Sequence, residues 1–230
     1  HNISSAGGAA GGGTAGAKGT LQLKSVGGTI TQSGGTTLAG DSLKVVSDSD
    51  VTLNNANALS TIAASITGAG KFFKYTDTDG VTVGTVAAVG GGGGALQNLA
   101  AVTGIGTLGG ASGVVTVTAG GLLTIDQAIA TTPTALNTVG GAITLTSSGA
   151  ITTSATGTLT STGSASTVGA GDTAGAGGEI LIHSTGAGDI TLGAAVTANG
   201  GAELEAADTG GLGGTVTVRN DSGAILLHNI

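Results

Sequence analysis

The chain has 230 residues, of which Gly, Ala, Thr and Ser make up 140, Gly alone contributing 48. Six Lys and Arg against 13 Asp and Glu give a net charge of −7, so phosphate neutralisation, the basis of nucleic-acid binding, has almost nothing to work with. The absence of Cys excludes disulfides, zinc thiolate sites and thiol chemistry. No apolar run reaches the 18 residues of a membrane span, and no signal-like stretch follows a basic start, so the chain reads as a mature product or an excised piece.

In chain order, one short pattern recurs: Gly, any residue, aliphatic, any residue, aliphatic. It occurs at Gly19 to Leu23 (GTLQL), Gly113 to Val117 (GVVTV), Gly141 to Leu145 (GAITL), Gly178 to Ile182 (GEILI) and Gly214 to Val218 (GTVTV). A second short apolar strand follows each after a polar or Gly turn, its anchors being Ile30, Leu123, Ile151, Ile190 and Ile225. TAGAKGTLQLKSVGGTIT from Thr14 and TAGAGGEILIHSTGAGDIT from Thr173 match with one inserted residue, an internal duplication. The alternation has period two, as a half-buried strand requires, and predicts Leu21, Leu23, Val115, Val117, Ile143, Leu145, Ile180, Ile182, Val216 and Val218 inward. The stretches from Leu59 to Ile66 and from Leu96 to Val102 read as short helical turns at a corner. Gly-rich insertions are expected near residues 6–17, 90–94 and 168–178.

Strands of three to five residues and a core of Val, Ile, Leu and Ala suit neither a sandwich nor a barrel, whose strands are longer and whose cores use large aromatics. They suit a parallel β-solenoid, in which each coil adds one or two aliphatics per side and like positions stack. Coils of about 20 to 28 residues would number about 8 to 11 over residues 1–230, a single solenoid segment.

Strings such as GGAITLTSSGAITTSATGTLTS, VTVTAGGLLTIDQAI and GDITLGAAVTANGGAELEA, with FKYTDTDGVTVGTVAAV, resemble the filamentous-haemagglutinin-like β-helix repeats of large bacterial surface proteins. The resemblance runs from Lys18 onward. It implies a right-handed parallel β-helix, secretion to or beyond the cell surface, and a role in adhesion, biofilm or fibre building. It supplies no catalytic residue.

Chemistry is sparse. G-x-G-x-x-G occurs at Gly104 to Gly109 and at Gly11 to Gly16, but neither opens a helix whose N-terminus would hold a phosphate, and both read as turns. Asp77 and Asp79 in TDTDG are weak calcium candidates that read more simply as solvated corner residues, since calcium takes six to eight oxygens. The histidines are His1, His183 and His228, with no H-E-x-x-H, and no Ser lies in G-x-S-x-G. No enzyme, cofactor or metal is therefore expected. Of the aromatic trio Phe72, Phe73 and Tyr75, the alternation turns Phe73 and Tyr75 inward and Phe72 outward. Thr-x-Thr at Thr116/Thr118, Thr144/Thr146 and Thr215/Thr217 makes outward Thr ranks, but ice binding needs them in register, which unequal coils argue against.

The chain starts His1-Asn2-Ile3 and ends His228-Asn229-Ile230, an offset of 227 residues. Either a tandem period is cut there or subunits stack end to end, and in both cases uncapped ends expose strand edges that a further coil would satisfy. These six residues, with Ile225 and Leu227, are the predicted assembly ends. The leading expectation is a structural segment of an extracellular bacterial filament, its partner being itself, head to tail. The alternative is an adhesin passenger that binds a host, matrix or cell surface through the Lys71 to Tyr75 region. Neither nucleic-acid binding nor membrane insertion is expected.

Overall fold

The structure is a computed structural model that describes residues 3–4, 18–88, 99–111, 113–169 and 171–228. Among them every regular element is a β-strand, and every ladder but one is parallel. The described residues form a parallel β-solenoid of eight rungs, the first and last incomplete.

The first rung holds β1 (Ile3–Ser4) and β2 (Thr20–Ser25), the second β3 (Ile30–Thr31) and β4 (Leu38–Ser47), and the third β5 (Val51–Ile66), which bends through two faces. The fourth holds β6 (Phe73–Asp77), β7 (Val81–Val83), β8 (Thr85–Val86), β9 (Val102–Thr103) and β10 (Ile105–Thr107). The fifth holds β11 (Val115–Ala119), β12 (Leu123–Ile125) and β13 (Ile129–Ala130), and the sixth β14 (Ile143–Ser147), β15 (Ile151–Thr153) and β16 (Leu159–Thr160). β17 (Ile180–Ser184), β18 (Ile190–Leu192) and β19 (Val196–Thr197) form the seventh, and β20 (Val216–Asn220) with β21 (Ile225–Leu227) the last.

Like positions stack in unbroken columns. One runs Ile30, Val51, Phe73, Val115, Ile143, Ile180, Val216, and a second Val81, Leu123, Ile151, Ile190, Ile225. Interior members such as Val115, Ile143, Ile151 and Ile180 have no solvent exposure. Removing an aliphatic side chain of this size from water contributes about 1.5–3 kcal/mol, which is what holds short strands in place.

Coil length is not uniform. Residue numbers along the first column step by 21, 22, 42, 28, 37 and 36, so three coils exceed the expected 28. The excess leaves the ladders undisturbed because it sits outside them. Thr61, Thr82, Thr124, Thr152 and Thr191 form one in-register outward rank despite the unequal coils, contrary to the expectation from coil length. It is a single rank, however, and the Thr columns of the neighbouring face are interrupted by Leu181 and His183.

The first excess is a strap. β8 and β9 pair antiparallel and lie on the outer surface, where Val86 and Val102 bury Ala63 and pack on Val46. Lys44 points outward from β4 yet is fully buried, its Nζ donating to the carbonyls of Ala87 (2.9 Å) and Leu99 (2.7 Å). Its ladder neighbour Gln22 accepts from Leu99 N (2.9 Å). Residues 59–66 form strand rather than the expected helical turns, held in the ladders of β4, β7 and β10. Leu59, Ile62, Ala63 and Ile66 repeat at helical spacing because Leu59, Ile62 and Ile66 enter the core while Ala63 is buried outward under the strap, with Thr61 and Ser65 left half-exposed. In the second stretch, residues 96–98 lie outside the described residues, and Val102 is in a strand.

The second excess is a fin. In the fifth to seventh rungs the chain leaves the ladder, runs out and returns. Each limb bonds both to its own return and to the next coil: Gly175 N donates to Ser164 O, Gly178 N to Ser161 O, Gly177 N to Leu212 O and Gly163 N to Asn199 O, all at 2.8–2.9 Å. Bonding recurs every third residue, the period of an extended threefold helix. Cβ atoms on Gly141, Gly175, Gly201, Gly211 or Gly214 would overlap the backbone of a neighbouring limb. The predicted insertion at 168–178 is therefore largely packed structure, with Ala174, Gly175, Gly177 and Gly178 buried. Residues 6–17 and 90–94 lie outside the described residues.

The duplicated segments occupy different faces: Ile180–Ser184 continues the column of Val115, whereas Thr20–Ser25 pairs with β4. Both use the same local chemistry. Ser25 Oγ donates to Gly28 O (2.5 Å) and Ser184 Oγ to Gly188 O (3.2 Å), closing the turn that follows the strand.

Candidate self-assembly surface

The C-terminal rung is where the core becomes surface. β20 and β21 form the last strands of their ladders, pairing only with β17 and β18 among the described residues. Val216 and Ile225 stand in the inward columns, yet they are 42% and 43% exposed, against 0% for Ile180 and Ile190 one rung earlier. Leu227 is 60% exposed where its column neighbour Leu192 is 1%. The inward assignment of Val216 and Val218 thus holds for direction but not for burial, since no further coil covers them; Val218 is half-buried. Leu212, in the last limb of the fin, is also exposed. Val216, Val218, Ile225 and Leu227 together make an apolar end face, bordered by strand edges whose N–H and C=O groups point along the rod axis.

The geometry of this rung is fixed by polar contacts. Asn220 ends β20: its Nδ2 donates to Gly188 O and Ala224 O (both 3.0 Å), and its Oδ1 accepts from Gly223 N (2.8 Å). It extends an inward column of Asp77, Ala119, Ser147 and Ser184, of which Asp77, Ser147 and Ser184 close turns with their side chains. On the outer side Asp221 accepts from Arg219 Nε (2.8 Å) and meets His183 Nε2 (3.1 Å). The His183 hydrogen bond, with Arg219, holds the Asp221 carboxyl below its ordinary range.

Of the predicted end residues, Ile225 and Leu227 lie in this surface. His228 is exposed, its N donating to Leu192 O (2.9 Å). Ile3 lies in β1, paired with Leu38 at the opposite end. His1, Asn2, Asn229 and Ile230 lie outside the described residues. At that opposite end a hollow of about 250 Å³ opens between Leu23, Ile30, Leu38 and Leu53.

The weak metal candidates separate. Asp79 is exposed, but Asp77 is buried rather than a solvated corner residue. Asp77 Oδ2 accepts from Tyr75 Oη (2.5 Å) and Leu59 N (3.0 Å), and Oδ1 from Asp79 N (2.9 Å). Desolvation drives its pKa upward, and desolvation beside this carboxyl does the same to Tyr75. The carboxylate is thus committed to capping its own turn, and no group of three metal-ligating side chains occurs among the described residues. Phe73 and Tyr75 are buried and stacked at 6.4 Å between centroids, while Phe72 lies outside under Lys74 Nζ at 4.7 Å. Gly104, at φ 68°, turns the chain into β10, so its glycine motif opens a strand and not a helix; Gly11 to Gly16 lie outside the described residues.

No family model, no curated protein and no solved structure matches the chain. Sequence reasoning missed Lys44, the fin glycines as packing residues and the burial of Asp77. The last had a signal: aligning FKYTD with ITLTS and ILIHS places Asp77 in the column of Ser147 and Ser184.

Proposed function

We propose that this chain is a structural segment of an extracellular bacterial fibre, of the kind built by the haemagglutinin-like repeats it resembles, and that its coils continue across the C-terminal rung. The observation that carries this reading is the apolar end face of Val216, Ile225 and Leu227, set in columns that are buried from Val51 to Ile180 and from Val81 to Ile190. A further coil would remove these side chains from water and pair the free edges in the same ladder. The requirement is the same whether that coil belongs to the same polypeptide or to another copy. The role is mechanical and involves no catalytic step. The adhesin reading ranks second, because Phe73 and Tyr75, two of the three aromatics it relied on, are inside the core.

Sedimentation tests the reading. The chain should form species that grow with concentration, and Val216→Asp should suppress growth without lowering the melting temperature, since position 216 is half-exposed. A monodisperse monomer at all concentrations would refute it.

A further inference from the structure

We infer that the strand laid on β20 is β2 of a second copy of this chain, joined at one register: Leu21 on Val216, Leu23 on Val218, Ser25 on Asn220 and Ile30 on Ile225. This rests on the end-to-end reading above and adds to it a specific joint.

Every strand of this face from β11 onward has a glycine two residues before its first inward aliphatic: Gly113, Gly141, Gly178 and Gly214. The position is forced. A Cβ on Gly141 would overlap Gly113 O, one on Gly178 would overlap Gly140 O, and one on Gly214 would overlap Gly178 O. Whatever strand comes next must bring its own glycine there. Of the strands at the opposite end, β2 does so with Gly19 before Leu21 and β3 with Gly28 before Ile30, whereas β4 has Asp41 before Leu43; β3 is set aside because Gln32 stands two residues after Ile30, where every strand of this face from β11 onward has a second aliphatic.

The match then extends without a gap. GTLQLKSVGGTIT from Gly19 and GTVTVRNDSGAIL from Gly214 align at a constant offset of 195, as the pair 214 and 19 gives. The offset keeps the first Gly and Thr, both inward aliphatics, the outward cation, the turn-closing Ser or Asn, the turn glycine (Gly28, Gly223) and the second-face Ile. The local turns agree as well, Ser25 contacting Gly28 and Asn220 contacting Gly223, each three residues on. Among the described residues β2 pairs along one edge only, with β4, so its other edge is unpaired. Because β2 and β20 belong to different faces of their own chain, the second copy is turned about the rod axis to bring β2 into line. The joint places Lys24 beside Arg219, a like-charge pair that weakens it and that salt screens, so assembly should strengthen as ionic strength rises.

The chain has no cysteine, which allows a direct test. Adjacent strands lie about 4.8 Å apart, within disulfide reach, while a pair offset by two residues along the strand lies roughly 8 Å apart and beyond it. Lys24→Cys combined with Arg219→Cys, oxidised under conditions in which the native chain assembles, should give covalent dimers and longer ladders at least tenfold above Lys24→Cys with Thr217→Cys. Assembly with no excess over that offset pair overturns the register and leaves the fibre reading standing. Failure of the native chain to assemble at all overturns both.

Discussion

Three glycines, each changed to alanine, should give three different outcomes, and their order tests whether the fin is packed backbone to backbone. At Gly175 a Cβ would overlap the carbonyl of Thr138. Carbon–oxygen contacts settle near 3.3–3.6 Å, so the limbs must part by roughly an ångström or more. That stretches Gly175 N→Ser164 O (2.9 Å), Ser164 N→Thr138 O (3.0 Å) and Gly201 N→Gly175 O (2.8 Å). At about 1 kcal/mol for each bond lost, with overpacking adding about 1–3 kcal/mol, the expected loss is about 3–5 kcal/mol. Gly35 faces open space but has φ 74°, so alanine there costs only backbone strain, about 1–2 kcal/mol. Gly34 has open space and an ordinary φ, so alanine should be neutral or stabilising by about 0.4–1 kcal/mol, through the unfolded chain. Urea denaturation followed by circular dichroism reads all three, and hydrogen exchange at the fin amides locates the damage. A Gly175→Ala variant within about 0.5 kcal/mol of Gly34→Ala would refute the packing account.

Core position should matter more than residue type. Ile180→Ala is expected to cost about 2–5 kcal/mol, whereas Val216→Ala, one rung later in the same column, should cost under about 1 kcal/mol in the unassembled chain; equal losses in denaturation would contradict the exposed end rung. Lys44→Ala leaves the Ala87 and Leu99 carbonyls without their donor, so hydrogen exchange at the Val86 and Leu99 amides should accelerate several-fold; unchanged exchange would count against the role of Lys44 in holding the strap. Asp77, its folded pKa raised by burial, holds its proton more tightly in the native state. Its contribution to stability is greatest below the unfolded value and is lost as pH rises through the folded one. The native chain should therefore gain stability relative to Asp77→Asn as pH falls from 7 toward 4, as thermal melts will show, and the opposite trend would refute the burial argument. Chelators should leave the melting temperature unchanged, and a drop of many degrees would reveal a calcium site.

How much of this was legible depended on periodicity. Val115/Val117, Ile143/Leu145 and Ile180/Ile182 announced their strands because one face of each is buried and the other wet, which writes a period of two into the sequence. Where that condition failed, so did the reading. In the strand at 59–66 Leu59, Ile62 and Ile66 enter the core while Ala63 is buried outward under the strap, and together they mimic a helical spacing. The fin glycines gave no periodic apolar signal, because limbs packed by backbone alone leave no side-chain pattern. Lys44 reads as a surface cation from its alternation and is buried by a segment some 40 residues downstream, a contact that local sequence does not encode. The open end rung was accessible only in part: the terminal HNI match drew attention to the ends, but the exposure of Val216 required the ladder.

The most direct test of the central claim is an image of the assembled chain at a resolution that separates strands. Electron cryo-microscopy of concentrated protein should reveal rods many copies long, with the ~4.8 Å strand spacing running through each junction without a break. Particles that keep the length of a single copy at every concentration, or junctions without strand pairing, would contradict it.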